Sequence, residues 1–411
     1  MTLNDIMRRV RERENPEDAK VLWHLHSLDA EPGALAAFAS RLDSAFDEQP
    51  KRWSKANCLA GCYGNTAYAL QRICTPGESV SRSFFAFIRE AIAQDSQAAA
   101  QHFYLTNIGR LVWESLDWCL EERRPCFIEG REGRGKSASA SAWWKAHRGQ
   151  ARYVSLPGLG VQRDFFNVLA LAYDVPFLNA KSPGQVRWRV RDAVVNSGLV
   201  LVIDEAHAAL PERHRQGCPP LIDWIDRDLC NAGVAVALIS TPQFGPRLAE
   251  FEERTNWNAG QFRRRFSGRW TRLADKTDEA DLAALAKRVM PQIGSKGISL
   301  AVGYAGAFDR DVSGLFDLVR DAERRARKAG RQSVTLQDLR EAYKLDRVPS
   351  ENALAAAFKR PVHQRPERAD AELLPVEVEL PADPMQRRGT TVAVPDFSPT
   401  ARVGREPELV S

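Results

Sequence analysis

Phe127-Ile128-Glu129-Gly130-Arg131-Glu132-Gly133-Arg134-Gly135-Lys136-Ser137 is the stretch from which the fold can be read. It has the form of a strand end, a glycine-rich turn and the first turn of a helix. Glycines at 130, 133 and 135 let the backbone turn its N–H groups inward around an anion, where a Cβ would obstruct them. The helix that follows adds the partial positive charge of its N-terminus. Lys136 has the reach to neutralise the β- and γ-phosphates of a nucleoside triphosphate, and the Ser137 hydroxyl is placed to ligate Mg²⁺. The nucleotide-contacting set read from this stretch is Gly130, Gly133, Arg134, Gly135, Lys136, Ser137 and Ala138. A glycine-rich surface turn matches such a pattern by chance often enough that a second signal is needed.

That signal is Leu199-Val200-Leu201-Val202-Ile203-Asp204-Glu205. A continuous apolar run ending in two carboxylates marks a central parallel strand whose C-terminal end opens onto a site. Asp204 is the expected Mg²⁺ carboxylate, and Glu205 the residue that polarises the attacking water. The run 234–241 is a further buried strand, ending in Ser240 and Thr241. Either hydroxyl is placed to orient that water or to sense the γ-phosphate, and Thr241 is the one assigned here. ATP and Mg²⁺ are the cofactors these residues imply.

The chain has 411 residues, with 44% hydrophobic and 27% charged residues, the balance of a globular protein with more than one domain. No apolar run is long enough to span a membrane, and no signal peptide is visible at the N-terminus. Seven cysteines without framework spacing fit a reducing cytoplasm. Cys58, Cys62 and Cys74 lack a clear fourth ligand, so buried thiols are expected there rather than a metal. A net charge of +5 leaves a nucleic-acid partner open.

Residues 1–102 are expected to form a mostly helical accessory domain, with helical periodicity over 3–13, 34–46 and 84–92. Three short helices there serve either as a helix-turn-helix DNA reader or as a docking domain. An ATPase core follows over 103–273, opening with a lead-in helix over 106–119. Strands are expected at 126–129 and 151–156, and helices at 163–173, 186–197 and 220–231. Strands alternating with helices imply an α/β fold, a doubly wound parallel sheet with its ligands at the C-terminal strand ends. The basic segment Gln261-Phe262-Arg263-Arg264-Arg265-Phe266 comes next. An arginine there is suited to reach a neighbouring subunit's γ-phosphate, Arg265 being the first choice and Arg264 the second. Residues 274–346 are expected to form a small helical lid with helices over 278–289, 311–328 and 336–343, the last started by a Thr335-Leu336-Gln337-Asp338 cap. Arg310, at the start of the middle helix, is expected to lean onto the nucleotide. Recurrent prolines from 347 to 411 mark a disordered tail with one short helix over 351–359, and 392–397 as a segment able to take a partner.

Together these pieces resemble the AAA+ ATPases, whose phosphate loop favours Gly-x-x-Gly-x-Gly-Lys-Ser/Thr. Within them the chain is similar to transposition ATPases of the phage Mu B kind and their relatives in Tn-type elements. The likeness covers about 103–345. It rests on Thr106-Asn107-Ile108-Gly109-Arg110-Leu111-Val112, Asp204-Glu205-Ala206-His207, Leu221-Ile222-Asp223-Trp224-Ile225, the Ser-Thr-Pro strand end and the Arg-Arg-Phe segment. Gly306 and Arg310 stand one residue further apart than the family's Gly-x-x-Arg lid motif. The resemblance implies an ATP-dependent ring or filament of the chain on double-stranded DNA, without sequence preference, that marks target DNA and recruits or activates a transposase. Basic side chains for phosphate contacts would then be Arg163, Arg213, His214 and Arg215. The competing class is a nucleotide-switched signalling or assembly ATPase, of a defence or secretion complex, that never touches DNA. A P-loop kinase fits less well, because the Asp204-Glu205 pair and a trans arginine belong to hydrolysis.

Overall fold

Four strands of four or five residues and one three-residue edge build a five-stranded sheet, seen in a computed structural model that describes residues 2–12, 15–158, 162–177, 182–210, 219–307 and 310–359. The basic residues Arg213, His214 and Arg215 and the segment 392–397 lie outside the described residues. The strands are β1 Cys126–Glu129, β2 Ala151–Ser155, β3 Val200–Asp204, β4 Val236–Ser240 and β5 Trp270–Arg272. All pair in parallel, in the order β2-β3-β4-β1-β5. Every residue of β3 and β4 is buried. Both faces of those strands are covered, which is why their sequences show apolar runs and no alternation.

The period-two alternation of the backbone sorts these residues onto two cores. Phe127, Leu201, Ile203, Val236 and Leu238 face one side, together with Phe165, Trp224 and Phe244. Ile128, Val200, Val202, Ala237 and Ile239 face the other, packed against Ile108, Val112, Leu116 and Trp143. The lead-in helix Asn107–Glu122 supplies three of those residues, and its N-cap Thr106 accepts a hydrogen bond from the Gly109 amide.

The N-terminal residues form the helices Leu3–Arg11, Pro16–Asp29, Ala34–Glu48, Thr66–Cys74 and Arg82–His102, besides one short turn. Their apolar side chains, among them Leu22, Phe38 and Phe84, are continuous with the first sheet core. Pro16–Asp29 has no counterpart in the sequence reading. Val21 to Leu28 are all buried, so the helix carries no polar stripe to give it a period. Its start is locally encoded, with Asn15 capping the Glu17 amide and Pro16 in the first turn. It lies so close to the turn before β2 that a Cβ on Gly149 would collide with the Lys20 carbonyl. Cys58, Cys62 and Cys74 are buried free thiols, and burial pushes Cys74 up to about 12. No group of three or more His, Cys, Asp or Glu side chains able to hold a metal occurs among the described residues.

Past β4 come helices Phe244–Thr255 and Gly260–Phe266, then β5, which pairs with the free side of β1. The sequence reading ends the sheet at β4. Three residues are too few for a periodic signal, and β5 is set by its pairing. Helices Glu279–Val289, Ser295–Ala307, Asp311–Lys328 and Leu336–Glu341 gather a third apolar cluster around Leu315, Leu318 and Leu339. The expected cap at Thr335 is a capping box with Asp338. None of the described helices is long and apolar enough to cross a membrane. The sheet, the site and these clusters belong to the compact unit Met1–Ala355.

Candidate nucleotide-binding site

The strand order brings the sequence-read residues to one edge. β4 lies between β1 and β3, with Ser240 opposite Glu129 and the Gly130 amide donating to the Ser240 carbonyl at 3.1 Å. Thr241 therefore follows directly beside the phosphate loop, on the strand that separates the loop from the acidic end of β3.

The loop has the backbone its glycines allow. Gly133 and Gly135 hold φ of 76° and 80°, the left-handed region that other residues enter at a cost, and the helix Lys136–Ala146 starts immediately after. Ser137 and Ala138 are exposed on its first turn. Lys136 is largely buried, and its Nζ donates to the Arg131 carbonyl at 2.7 Å, so the ammonium lies across the loop. Burial pulls the Lys136 pKa below its ordinary value, and Asp204 and Glu205 act in the opposite sense. Lysine and both carboxylates are thus within electrostatic reach of one another.

Asp204 is 1% exposed. Its Oδ1 accepts from the Glu205 amide at 2.8 Å and its Oδ2 from the Tyr153 hydroxyl at 2.7 Å. Burial beside this carboxylate raises the Tyr153 pKa far above its usual value, which keeps the phenol a donor. Glu205 has left the strand with φ of 57°, an uncommon conformation for a glutamate. Its Oε2 lies 3.3 Å from His207 Nδ1.

Two hydroxyls at the end of β4 complete the edge. Ser240 Oγ and Thr241 Oγ1 are buried and have no hydrogen-bond partner among the described residues. Buried polar atoms are nearly always paired, so these two suit a bound group. The glycine cradle, a lysine, the Ser137 hydroxyl and the Asp204 carboxylate form a set of the hard donors and cations that a magnesium–triphosphate takes. The residues present therefore fit the nucleotide and its metal.

Helix Asp311–Lys328 abuts the loop. The Ser313 amide donates to the Gly133 carbonyl at 3.1 Å, and a Cβ on Gly133 would come within 2.8 Å of Ser313 Oγ. Arg134 is 2% exposed and pairs with Asp311 at 2.6 Å. Asp311 also accepts from the Thr277 and Val312 amides, at 2.8 and 2.7 Å. The phosphate loop is thereby fastened to the C-terminal helices through a side chain that the sequence assigned to the nucleotide. Beside this contact, Arg131, Gly133, Arg134, Thr241, Arg310 and Ser313 line an open crevice of about 600 Å³.

Two arginines that the sequence directs to the nucleotide or to a neighbouring copy are held by acids of their own chain. The Arg310 guanidinium is engaged by Glu351 at 2.9 and 3.1 Å, while its carbonyl faces Gly133. Arg265 pairs with Asp226 of its own chain at 2.8 Å and also donates to Asn231. Arg264, its neighbour in the last turn of Gly260–Phe266, is exposed. Arg163 is exposed in the first turn of Gln162–Ala172. Sequence reading did not single out Tyr153 or Asp311. Tyr153 is one aromatic in a short strand, and Asp311 one acid at a helix start; only folding brings them to Asp204 and Arg134.

A parallel sheet of this order, with a phosphate loop after its β1 and an acidic pair after β3, has the fold of an AAA+ P-loop NTPase. Residues 120–248 match the family model described as AAA domain, a span that holds the phosphate loop, Asp204, Glu205 and Thr241. Solved structures to which the chain is similar include the Thermotoga maritima RuvB Holliday junction branch migration motor, at 13% identity over 58% of this chain and 68% of that one, with a TM-score of 0.38. The Aeropyrum pernix ORC1 protein in complex with DNA matches at 17% identity over 59% of this chain and 67% of that chain, with a TM-score of 0.46. Cdc6p from Pyrobaculum aerophilum matches at 13% identity over 60% and 70%, with a TM-score of 0.43. No curated protein sequence matches the chain.

Proposed function

We propose that this protein binds and hydrolyses ATP and uses the cycle to assemble on double-stranded DNA as a regulator of transposition. The observation that supports hydrolysis best is the buried Thr241 hydroxyl, without a partner among the described residues, lying between a glycine cradle and the Asp204-Glu205 end of β3. Switch proteins need the cradle alone; a water-orienting hydroxyl beside a carboxylate base serves turnover.

In this reading Gly130, Gly133 and Gly135 let the loop amides bind phosphate oxygens, and Lys136 leaves the Arg131 carbonyl to neutralise the β- and γ-phosphates. Ser137 and Asp204 would hold Mg²⁺, which supplies charge neutralisation at the transferring phosphoryl group when bound. Glu205 accepts the proton of the attacking water, and Thr241 orients that water. An arginine of a neighbouring copy, Arg265 or Arg264, completes the neutralisation, so that turnover depends on assembly.

The DNA and transposition part rests on the motif resemblance around 106–112, 204–207 and 221–225. It is supported by the exposed Arg163 at a helix start on the carboxyl side of β2. Contacts of that kind go to phosphates and carry little sequence information.

The test uses the full chain and its Lys136→Ala variant, in ATP-binding titrations and in gel shifts with duplex of unrelated sequences. The reading expects loss of ATP binding in the variant, because no other cation of the motif has that reach. It also expects duplex binding by the wild type that needs ATP and falls steeply with salt. ATP affinity retained in folded Lys136→Ala would overturn the assignment of the loop. ATP binding without any ATP-dependent DNA complex at low salt would overturn the DNA reading and leave the nucleotide-switched assembly class.

A further inference from the structure

We infer that Tyr153 is a positioning residue for the magnesium site: its hydroxyl fixes the orientation of the Asp204 carboxylate and so sets the protein's affinity for the metal. The inference rests on the ATP·Mg²⁺ reading of the site given above.

Tyr153 stands on β2, the strand at the edge of the sheet, opposite Val202, while Ser155 stands opposite Asp204. The strand's alternation puts Tyr153 and Ser155 on one face and Arg152 on the other. From there the phenol reaches Asp204 Oδ2 at 2.7 Å. The other oxygen, Oδ1, takes the Glu205 amide. Asp204 makes no ion pair with a lysine or arginine among the described residues, so these two neutral donors hold the orientation of a carboxylate that is almost wholly out of water.

The assignment of donors matters for chemistry. A carboxylate has about four lone-pair sites. One donor on each oxygen leaves a site free on both, and fixes the plane in which those free sites lie. Without the phenol, only a backbone amide on one oxygen remains, and the carboxylate can turn about its terminal torsion, which is broad for aspartate. Groups that orient a metal ligand in this way are commonly worth about 10–100-fold in metal affinity.

The ring itself is held in place. Trp144 stacks on it, with centroids 6.2 Å apart and planes 27° from parallel. Arg148 lies over Trp144 at 4.7 Å and is clasped by both oxygens of Glu31, at 2.7 and 2.9 Å. On the opposite face of β2, Arg152 donates to the Trp23 carbonyl and to His26 of the helix Pro16–Asp29. The strand carrying the phenol is thus clamped by the N-terminal helices on one side while its Tyr153 addresses the site on the other.

The experiment is an electron paramagnetic resonance titration of Mn²⁺ into the full chain with a non-hydrolysable ATP analogue, for wild type, Tyr153→Phe, Asp204→Asn and the double variant. Analogue affinity is measured in parallel in EDTA. Tyr153→Phe keeps the ring and its stacking, and is expected to weaken Mn²⁺ binding about 10–100-fold with metal-free analogue affinity unchanged. In the Asp204→Asn background the same change should add almost nothing, because the hydroxyl acts through that carboxylate. Equal Mn²⁺ affinities for wild type and Tyr153→Phe would overturn the inference and leave the nucleotide reading standing. So would a matching loss of metal-free analogue affinity, which marks a general packing role, or full additivity in the double variant. A wild type that takes up no Mn²⁺ with the analogue would overturn the nucleotide reading itself, and the inference with it.

Discussion

Breaking the Arg134–Asp311 pair tests the coupling between the phosphate loop and the C-terminal helices. Both side chains are nearly inaccessible, at 2% and 3% exposure, and the charged atoms lie 2.6 Å apart. At an effective dielectric of about 20, opposite charges near 4 Å attract by about 4 kcal/mol, which sets the scale. Desolvation offsets much of that for the intact pair, but removing one member of a buried pair typically costs about 3–5 kcal/mol. Arg134→Met keeps the aliphatic stem. Asp311→Ala also loses the two amide bonds to Thr277 and Val312 and places alanine at a φ of 52°, so it should be the costlier change. Those extra losses cancel in a double-mutant cycle. The expected outcome is that the two single changes together exceed the double variant by about 2–3 kcal/mol. Urea unfolding followed by tryptophan fluorescence and circular dichroism provides the measurement, with coincident curves required before free energies are extracted. A coupling below about 0.5 kcal/mol would show that the two charges do not depend on each other, and the pair would not fasten the loop to the C-terminal helices.

Glu205→Gln keeps the shape of the turn but removes the base, so turnover should fall about 10²–10⁴-fold while ATP still binds; single-turnover assays with near-normal rates would move the catalytic role to another residue. For the trans arginine, Arg265→Ala should bind ATP and hydrolyse it poorly, with a loss of up to about 10³–10⁵-fold if it is the finger. Mixing it with Lys136→Ala should restore part of the activity, since one mixed interface joins an intact loop to an intact arginine. Because Arg265 is paired with Asp226 within its own chain, assembly must release it. Failure of rescue in co-assembled mixtures would pass the role to the exposed Arg264.

Much of the proposed nucleotide site is legible in the sequence because its chemistry is local. Gly133, Gly135, Lys136 and Ser137 share one turn and one helix start, and backbone conformation over a few residues is written in those residues. The buried strands β3 and β4 are legible for a related reason: burial on both faces forces an unbroken apolar run, and the polar residues that end it mark the site. Position in the sheet is a different matter. That β4 sits between β1 and β3, bringing Thr241 beside the loop, follows from how helices cover the two faces, and no local pattern records it. Helix Pro16–Asp29 escaped because a helix buried along most of its length loses the periodic stripe by which helices are recognised. The partners of Arg134, Arg265, Arg310 and Asp204 were equally out of reach. A charged side chain in a sequence shows what it can bind, and only the packed chain decides whether Asp311, Asp226, Glu351 or Tyr153 reaches it first.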